Sequence, residues 1–431
     1  MFGLHFKTLL PAIIFALCIL EMSFGLSIRF HVVWWFYFYF VWSLINYSGK
    51  RKADGSSKKI NTYLIVLYLL SCSIYILHHF LGKEFYEIST NETFNILWWT
   101  MFGSLLVYQI KQGHIYIQLF NLYIRNIVFF GCFISSSLGI FKYFNLLSGN
   151  SLDSYYYLDR LLTGSSLNAD YNVYALGLSI GGLLSVGFYN NFKKRSSKIL
   201  YSGVISVIIL AILLSGSRRG ILMSGFLLFC LLYSNRIMAA RRQITLFSII
   251  FVPIIVLFLI NNNWDIITKY IESTDLLDQS ITRVLTLKDE LQNENERTTR
   301  FYWGFNYFLE RNGTEQFFGS GFEYLKLMGY TFLGEFEDNP HNYLLSSLLY
   351  GGSIGFVLMI LLSIDLILSS FHFHRVWYPV VLIVLLFGLT SSNSLFSLRI
   401  FPSLLLLISL QKSKFINNKL NSTLPQVHHT E

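Results

Sequence analysis

The sequence predicts an all-α polytopic membrane protein of about twelve transmembrane helices, with a large, partly helical loop between spans 9 and 10. Composition is the first observation: 53% of the residues are hydrophobic and 13% charged, against about 25% charged in soluble domains. Apolar runs are the second. Stretches of roughly 17–25 residues, the length a helix needs to cross the hydrocarbon core, recur along the chain. Such helices satisfy their own backbone groups in lipid, and the ten-residue alternation of an outer-membrane barrel is absent from the sequence. The third is the charge pattern. Basic clusters at 49–59, 191–198, 235–243 and from Lys412 onward alternate with acidic segments. That pattern encodes membrane orientation, so the net charge of +9 does not call for a nucleic-acid partner.

Taken in order, residues 1–160 form an N-terminal group with spans at 8–25, 28–47, 61–81, 94–110 and 119–141. The first lacks a small-residue cleavage site and is expected to stay as a span rather than leave as a signal peptide. A central group, 161–260, holds spans at 170–190, 199–214, 221–235 and 244–260. Residues 261–340 are the long loop, 341–411 contain spans at 341–369, 376–391 and 395–411, and 412–431 form a tail. The four cysteines, Cys18, Cys72, Cys132 and Cys230, all fall in apolar stretches and read as small buried hydrophobes. Placing the basic clusters in the cytoplasm puts both termini there and segments 82–93, 142–169 and 261–340 outside. Loop 261–340 carries 14 acidic and 7 basic residues. A loop of that length in a compact protein usually has a task.

Three places on the expected outer face carry candidate chemistry. "LLSGSRRGIL" (213–222) sets Arg218 and Arg219 in a hairpin, Gly216–Gly220, on the side where short loops should be poor in arginine. The pair either snorkels to lipid phosphates or grips an anionic ligand. "ERTTRFYWGFNYFLERNG" (296–313) predicts an amphipathic helix whose Phe301, Phe305, Phe308 and Leu309 form a stripe lying on an apolar surface. Arg300, Trp303 and Tyr307 share another face, and Arg300 is an isolated cation in a net-negative loop, solvated or complementing a phosphate. In "EDNPHNYLLSSLLYGGSIG" (337–355), Asn339 and Pro340 predict a helix start. His341 then falls in the first turn, where the helix dipole favours a neutral ring able to accept a proton. Ser347, Gly351 and Gly355 recur at spacings that permit close helix packing. Two weaker features are "EFED" (335–338), an acidic cluster that could meet a cation or a sugar, and "SYYYLD" (154–159), aromatic residues suited to a membrane anchor or to sugar stacking.

Together these stretches resemble the O-antigen polymerase and ligase family of membrane glycosyltransferases. "RLLTGSSLNADYNVYALGL" (160–178), with Arg160 and Asn168, resembles the family's Arg–Gly–Asn-rich start of a central span. "LSGSRRGIL" resembles its Ser-Arg-Gly hairpin, and "RFYWGFNYF" with "FFGSGF" (317–322) its Arg-x-x-Trp helix and Gly-x-Gly turn. His341 and Asn342, followed after nine residues by Gly-x-x-Gly, fit its His-Asn pattern. Arg219 departs from it by standing where the family commonly has a small residue. The resemblance implies catalytic roles for His341, Arg218 and Arg300, and substrate contacts for Arg219, Arg160, Asn168, Trp303 and Asn342. It implies a metal-independent, cofactor-free inverting transfer on the periplasmic face of a bacterial inner membrane, within lipopolysaccharide biosynthesis. Donor and acceptor would be oligosaccharides on polyprenyl pyrophosphate, with membrane lipids around them and room for a chain-length regulator. The polymerase branch fits the hairpin and span number better. A ligase passing the chain to lipid A–core or to a protein is the alternative, and a glycolipid flippase the remote one.

Overall fold

The computed structural model describes residues 2–24, 36–43, 59–143, 170–189, 195–232, 296–334, 336–373 and 376–411. Span 244–260, residues Arg160 and Asn168, the 154–159 cluster, segment 261–295 and the tail lie outside the described residues. So do most of the basic clusters, and the direction of insertion therefore stays a reading of the sequence.

The apolar runs become helices: α1 (Phe2–Phe24), α2 (36–43), α3 (Thr62–Leu81), α4 (Glu87–Lys111), α5 (Ile117–Tyr143), α6 (Tyr171–Tyr189), α7 (Arg195–Leu214) and α8 (Arg218–Leu232). After the undescribed stretch come α9 (Glu296–Glu310), α10 (Gly313–Phe318) and α11 (Glu323–Phe332), then α12 (Tyr343–Phe373), α13 (Trp377–Ser391) and α14 (Phe401–Ile408). Among the described residues four helices are long and apolar enough to cross a membrane, Lys7–Phe24, Thr62–Leu81, Ile117–Lys142 and Tyr343–Phe373, and several shorter apolar ones accompany them. Leu69, Leu70, Leu77 and Phe80 on α3 are exposed, as expected of a surface solvated by hydrocarbon rather than water.

The predicted span 395–411 is not a continuous helix. The run 395–411 divides into a single 3-10 turn, Leu395–Ser397, and the eight-residue α14. At about 12 Å, α14 is well short of the ~30 Å hydrocarbon thickness. Pro402 sits in its first turn, where a fixed φ and a missing N–H favour a start rather than a continuation. Beyond its end, Leu410–Gln411 pair antiparallel with Lys59–Ile60.

Helix α6 lies at the centre, packed on α1, α5, α7, α8 and α13. Its glycines permit this: a Cβ at Gly177 would lie 2.8 Å from the backbone nitrogen of Ser23, and one at Gly182 2.6 Å from a Leu227 methyl. Helix α3 packs along α12, and α4 along α14. At one end of that group, the Asn61 side chain caps α3 and donates to Asp365 Oδ2 (2.9 Å) and Ser369 Oγ (2.7 Å) of α12. The candidate residues gather at the opposite end.

Candidate functional site

The Ser-Arg-Gly stretch is tighter than a loop from 216 to 220. The turn occupies Ser215–Ser217, with Gly216 at φ +68°, a backbone region that glycine enters without a Cβ clash. Arg218 already opens α8. Ser217 caps that helix, its Oγ accepting from the Gly220 N–H (2.9 Å) and donating to Asn172 Oδ1 (2.9 Å). The hairpin is thereby tied to the start of α6, where Asp170 Oδ1 accepts from the N–H groups of Asn172 and Val173. A Cβ at Gly220 would meet Ile212, Ser217 and Ala175 at 2.9–3.1 Å, so the helix start can approach its neighbours only with glycine there. Both arginines consequently occupy the first turn of a helix, the end that favours anions. The guanidinium of Arg219 lies 6.0 Å from the ring centre of Phe387, at the outer range of a cation–π contact. Of Arg218 the structure describes the backbone but not the side chain.

His341 precedes its helix rather than standing in the first turn. Asn339 Oδ1 accepts from the His341 N–H (2.9 Å) in a local turn, and His341 takes φ +52°, the only positive φ of a non-glycine among the described residues. Asn342 is the true cap, its Oδ1 accepting from Leu344 N (3.0 Å) and Leu345 N (3.1 Å). Asn339 and Pro340 make a plausible start by composition, but the left-handed residue reverses the chain before the helix begins. The dipole argument for a neutral imidazole in the first turn therefore falls away. In its place stands a histidine held in a conformation that costs about 1 kcal/mol or more.

Arg219, Asn339 and His341 line one cavity of about 710 Å³, within the size range of ligand sites. Arg300, Trp303 and Asn342 do not line it. Helix α9 presents Arg300, Trp303 and Tyr307 on one face as expected, but toward the protein. The Trp303 and Tyr307 rings stack with centres 5.2 Å apart, Trp303 meets Phe332 edge-on, and the Arg300 guanidinium sits 5.5 Å from the Phe332 ring centre. Of the expected stripe, Phe308 packs against the core, while Phe301, Phe305 and Leu309 are exposed. Arg300 is not an isolated cation: its buried Nε lies 2.8 Å from Asp338 Oδ2, close but not aligned as a hydrogen bond. The "EFED" carboxylates that are described serve structure in the same way. Asp338 meets Arg300, and Glu337 accepts from the N–H groups of Glu87 and Ile88, capping α4 from a distant segment. The two contacts fix the segment that leads into His341.

Further down α12 the glycine patterns meet. Gly352, at φ +62° and ψ −161°, breaks the helix. The turn Gly319–Ser320–Gly321 docks there, with Ser320 N and Gly321 N donating to the carbonyls of Leu349 and Tyr350.

Sequence reasoning missed the rest of the cavity. Its remaining walls include Glu21 at the end of α1, Glu92 near the start of α4, Asp170, Asn172 and Val173 at the start of α6, and the segment between α13 and α14 with Ser392, Asn393 and Arg399. Glu92 is buried, yet its carboxylate accepts from Tyr75 Oη (2.6 Å), Ser394 Oγ (2.6 Å) and Asn393 Nδ2 (3.4 Å). Glu92 precedes the apolar run 94–110; burial raises its pKa, and the bonds from Ser394, Tyr75 and Asn393 oppose that rise. Asn393 Oδ1 in turn accepts from Tyr324 Oη (2.9 Å) and Ser346 Oγ (2.7 Å). Arg399 forms an ion pair with Glu21. The visible signal was Arg399 itself, a cation inside what hydropathy reads as a span.

Residues 203–360 match the family model described as O-Antigen ligase (Wzy_C), which supports membership of the O-antigen ligase-like family. No curated protein matches the chain.

Proposed function

We propose, from the premise that residues 203–360 form an O-antigen ligase-like domain, that this chain is a membrane glycosyltransferase that polymerises a surface polysaccharide. The observation that carries the reading is the convergence of Arg219 and His341, from widely separated motifs, on one cavity. In this reading the donor is a glycan on polyprenyl pyrophosphate and the acceptor is another lipid-linked repeat unit on the periplasmic face. The acceptor hydroxyl oxygen attacks the anomeric carbon, and its proton passes to the imidazole of His341. The bond from that carbon to the phosphate oxygen breaks, and the electron pair leaves with the diphosphate. Attack from the opposite side inverts the anomeric centre.

Fixed cations at the leaving group lower the barrier by stabilising the charge that develops there. In this reading Arg219, beside the N–H groups of the α8 start, takes that role, and Arg218 shares the same turn. We assign Arg300 a positioning part: through Asp338 it holds the segment that leads to His341. Trp303 supports Arg300 through the Phe332 contacts, and Asn342 fixes where α12 begins. The scheme needs no metal.

A ligase passing the finished chain to lipid A–core or to a protein is the second reading, favoured by the description of the matched family. Deleting the gene and sizing the surface glycan separates the two. Core capped by one repeat unit identifies a polymerase; long chains stranded on the lipid carrier identify a ligase. Units trapped on the cytoplasmic leaflet count against both.

A further inference from the structure

We propose that Arg399, ion-paired with Glu21, is a second group that binds the departing diphosphate. The inference rests on reading the cavity as the transfer site, and it deepens that reading by naming a residue outside the family match.

The argument begins with position. Arg219 and Arg399 line the same cavity from different elements, one from the first turn of α8 and one from the segment leading into α14. A diphosphate carries its charge on two phosphoryl groups, so two guanidinium groups converging on one space suit it better than one. Arg399 also stands on a fixed base. Leu398 and Ile400 on either side of it are buried, Ser394 caps the preceding turn, and Pro402 starts the following helix. Its side chain is 24% exposed, open enough to meet a ligand from a sheltered position.

Charge balance is the second part. Among the described residues three carboxylates line the cavity, Glu21, Glu92 and Asp170. Glu92 is committed to three donors, and Asp170 caps α6. Glu21 pairs with Arg399, itself a cavity-lining cation. A guanidinium presents five N–H donors in a planar fork, so Arg399 can keep Glu21 on one edge and offer the other to a phosphate. Glu21 thereby stores the cation in a nearly neutral pair, which lowers the desolvation cost of an unpaired buried charge, and competes with the ligand for it.

That competition gives opposite signs to two substitutions. The full-length protein in lipid nanodiscs would be titrated with inorganic pyrophosphate. Arg399→Gln is expected to weaken binding about tenfold or more, while Glu21→Gln tightens it several-fold, in line with the value of a charge-assisted bond. Weakened binding in Arg399→Gln with unchanged melting temperature supports the proposal; unchanged affinity in the folded variant overturns it. Should Arg399→Gln fail to fold, Glu21→Gln decides alone: tighter binding supports the role, and equal or weaker binding overturns it. Arg219→Ala separates the two levels of inference. If it weakens pyrophosphate binding and Arg399→Gln does not, only the role of Arg399 falls. If neither does, or if the wild-type protein shows no binding up to millimolar pyrophosphate, the cavity is not the diphosphate site and the transferase reading falls with it.

Discussion

The cavity has two walls of different origin. One is built from residues within 203–360, where Arg219, Asn339 and His341 sit on short turns stabilised by their own neighbours: Ser217 caps α8, and Asn339 turns the chain into His341. The other comes from Glu21, Glu92 and the 392–400 segment, outside the matched residues, as is the start of α6 that also lines the cavity. These are held by partners distant in sequence, Glu92 by Tyr75, Asn393 and Ser394, and Arg399 by Glu21. Local chemistry makes the first wall recognisable from a few consecutive residues. The second exists only once the helices have packed.

Substitutions can break that contrast or sharpen it. The largest effect is expected at His341. Asparagine tolerates left-handed backbone better than most residues, so His341→Asn should keep the melting temperature while cutting glycan transfer roughly 10²–10⁴-fold, the usual contribution of a general base. Polymer length on the cell and the thermal profile of the purified protein check the two halves. Next comes Arg300→Ala, which strands Asp338 in a buried site and should cost about 3–5 kcal/mol. Adding Asp338→Asn should recover much of the loss, and a double-mutant cycle in detergent measures the coupling. On the second wall, Glu92→Ala leaves the Tyr75 and Ser394 hydroxyls and the Asn393 amide without their acceptor. About 3 kcal/mol of stability should go with it, seen as an earlier thermal transition even though no part of the matched segment has changed. Smallest is Ser217→Ala, where loss of a helix cap costs about 1 kcal/mol; a drop of a few degrees in melting temperature with weakened transfer would show how firmly the turn aims Arg219.

The same contrast explains what could be read from the chain before its structure. Hydropathy locates the helices near 61–81, 119–141 and 170–190 because lipid solvation depends on composition over twenty residues, not on partners. It failed at 395–411, where Arg399 and Pro402 interrupt a run whose average stays apolar. Grouping Arg300, Trp303 and Tyr307 on one helix face was legible from period alone. That the face turns inward to Asp338 and Phe332 was not, since the partners lie on other elements. The start of α12 lies three residues beyond the expected one because Asn339 followed by proline satisfies the composition of a cap, while the backbone sign at His341 leaves no trace in composition. Glu92 was hidden for a related reason: an acidic residue near a span end ordinarily faces water, and only the packed bundle supplies three donors to it.

The interlock between Gly319 and Gly352 has a mechanical consequence. A Cβ at 352 would come within 2.5 Å of both Gly319 N and Phe317 O, and one at 319 within 2.1 Å of the Tyr350 oxygen, so neither bend can take a side chain without expelling the other. The kinked helix and the docked turn therefore move as one piece, like a tongue seated in a notch. Any swing of the turn that carries Phe317 and Phe318 must pull on the rod whose upper tip begins beside His341.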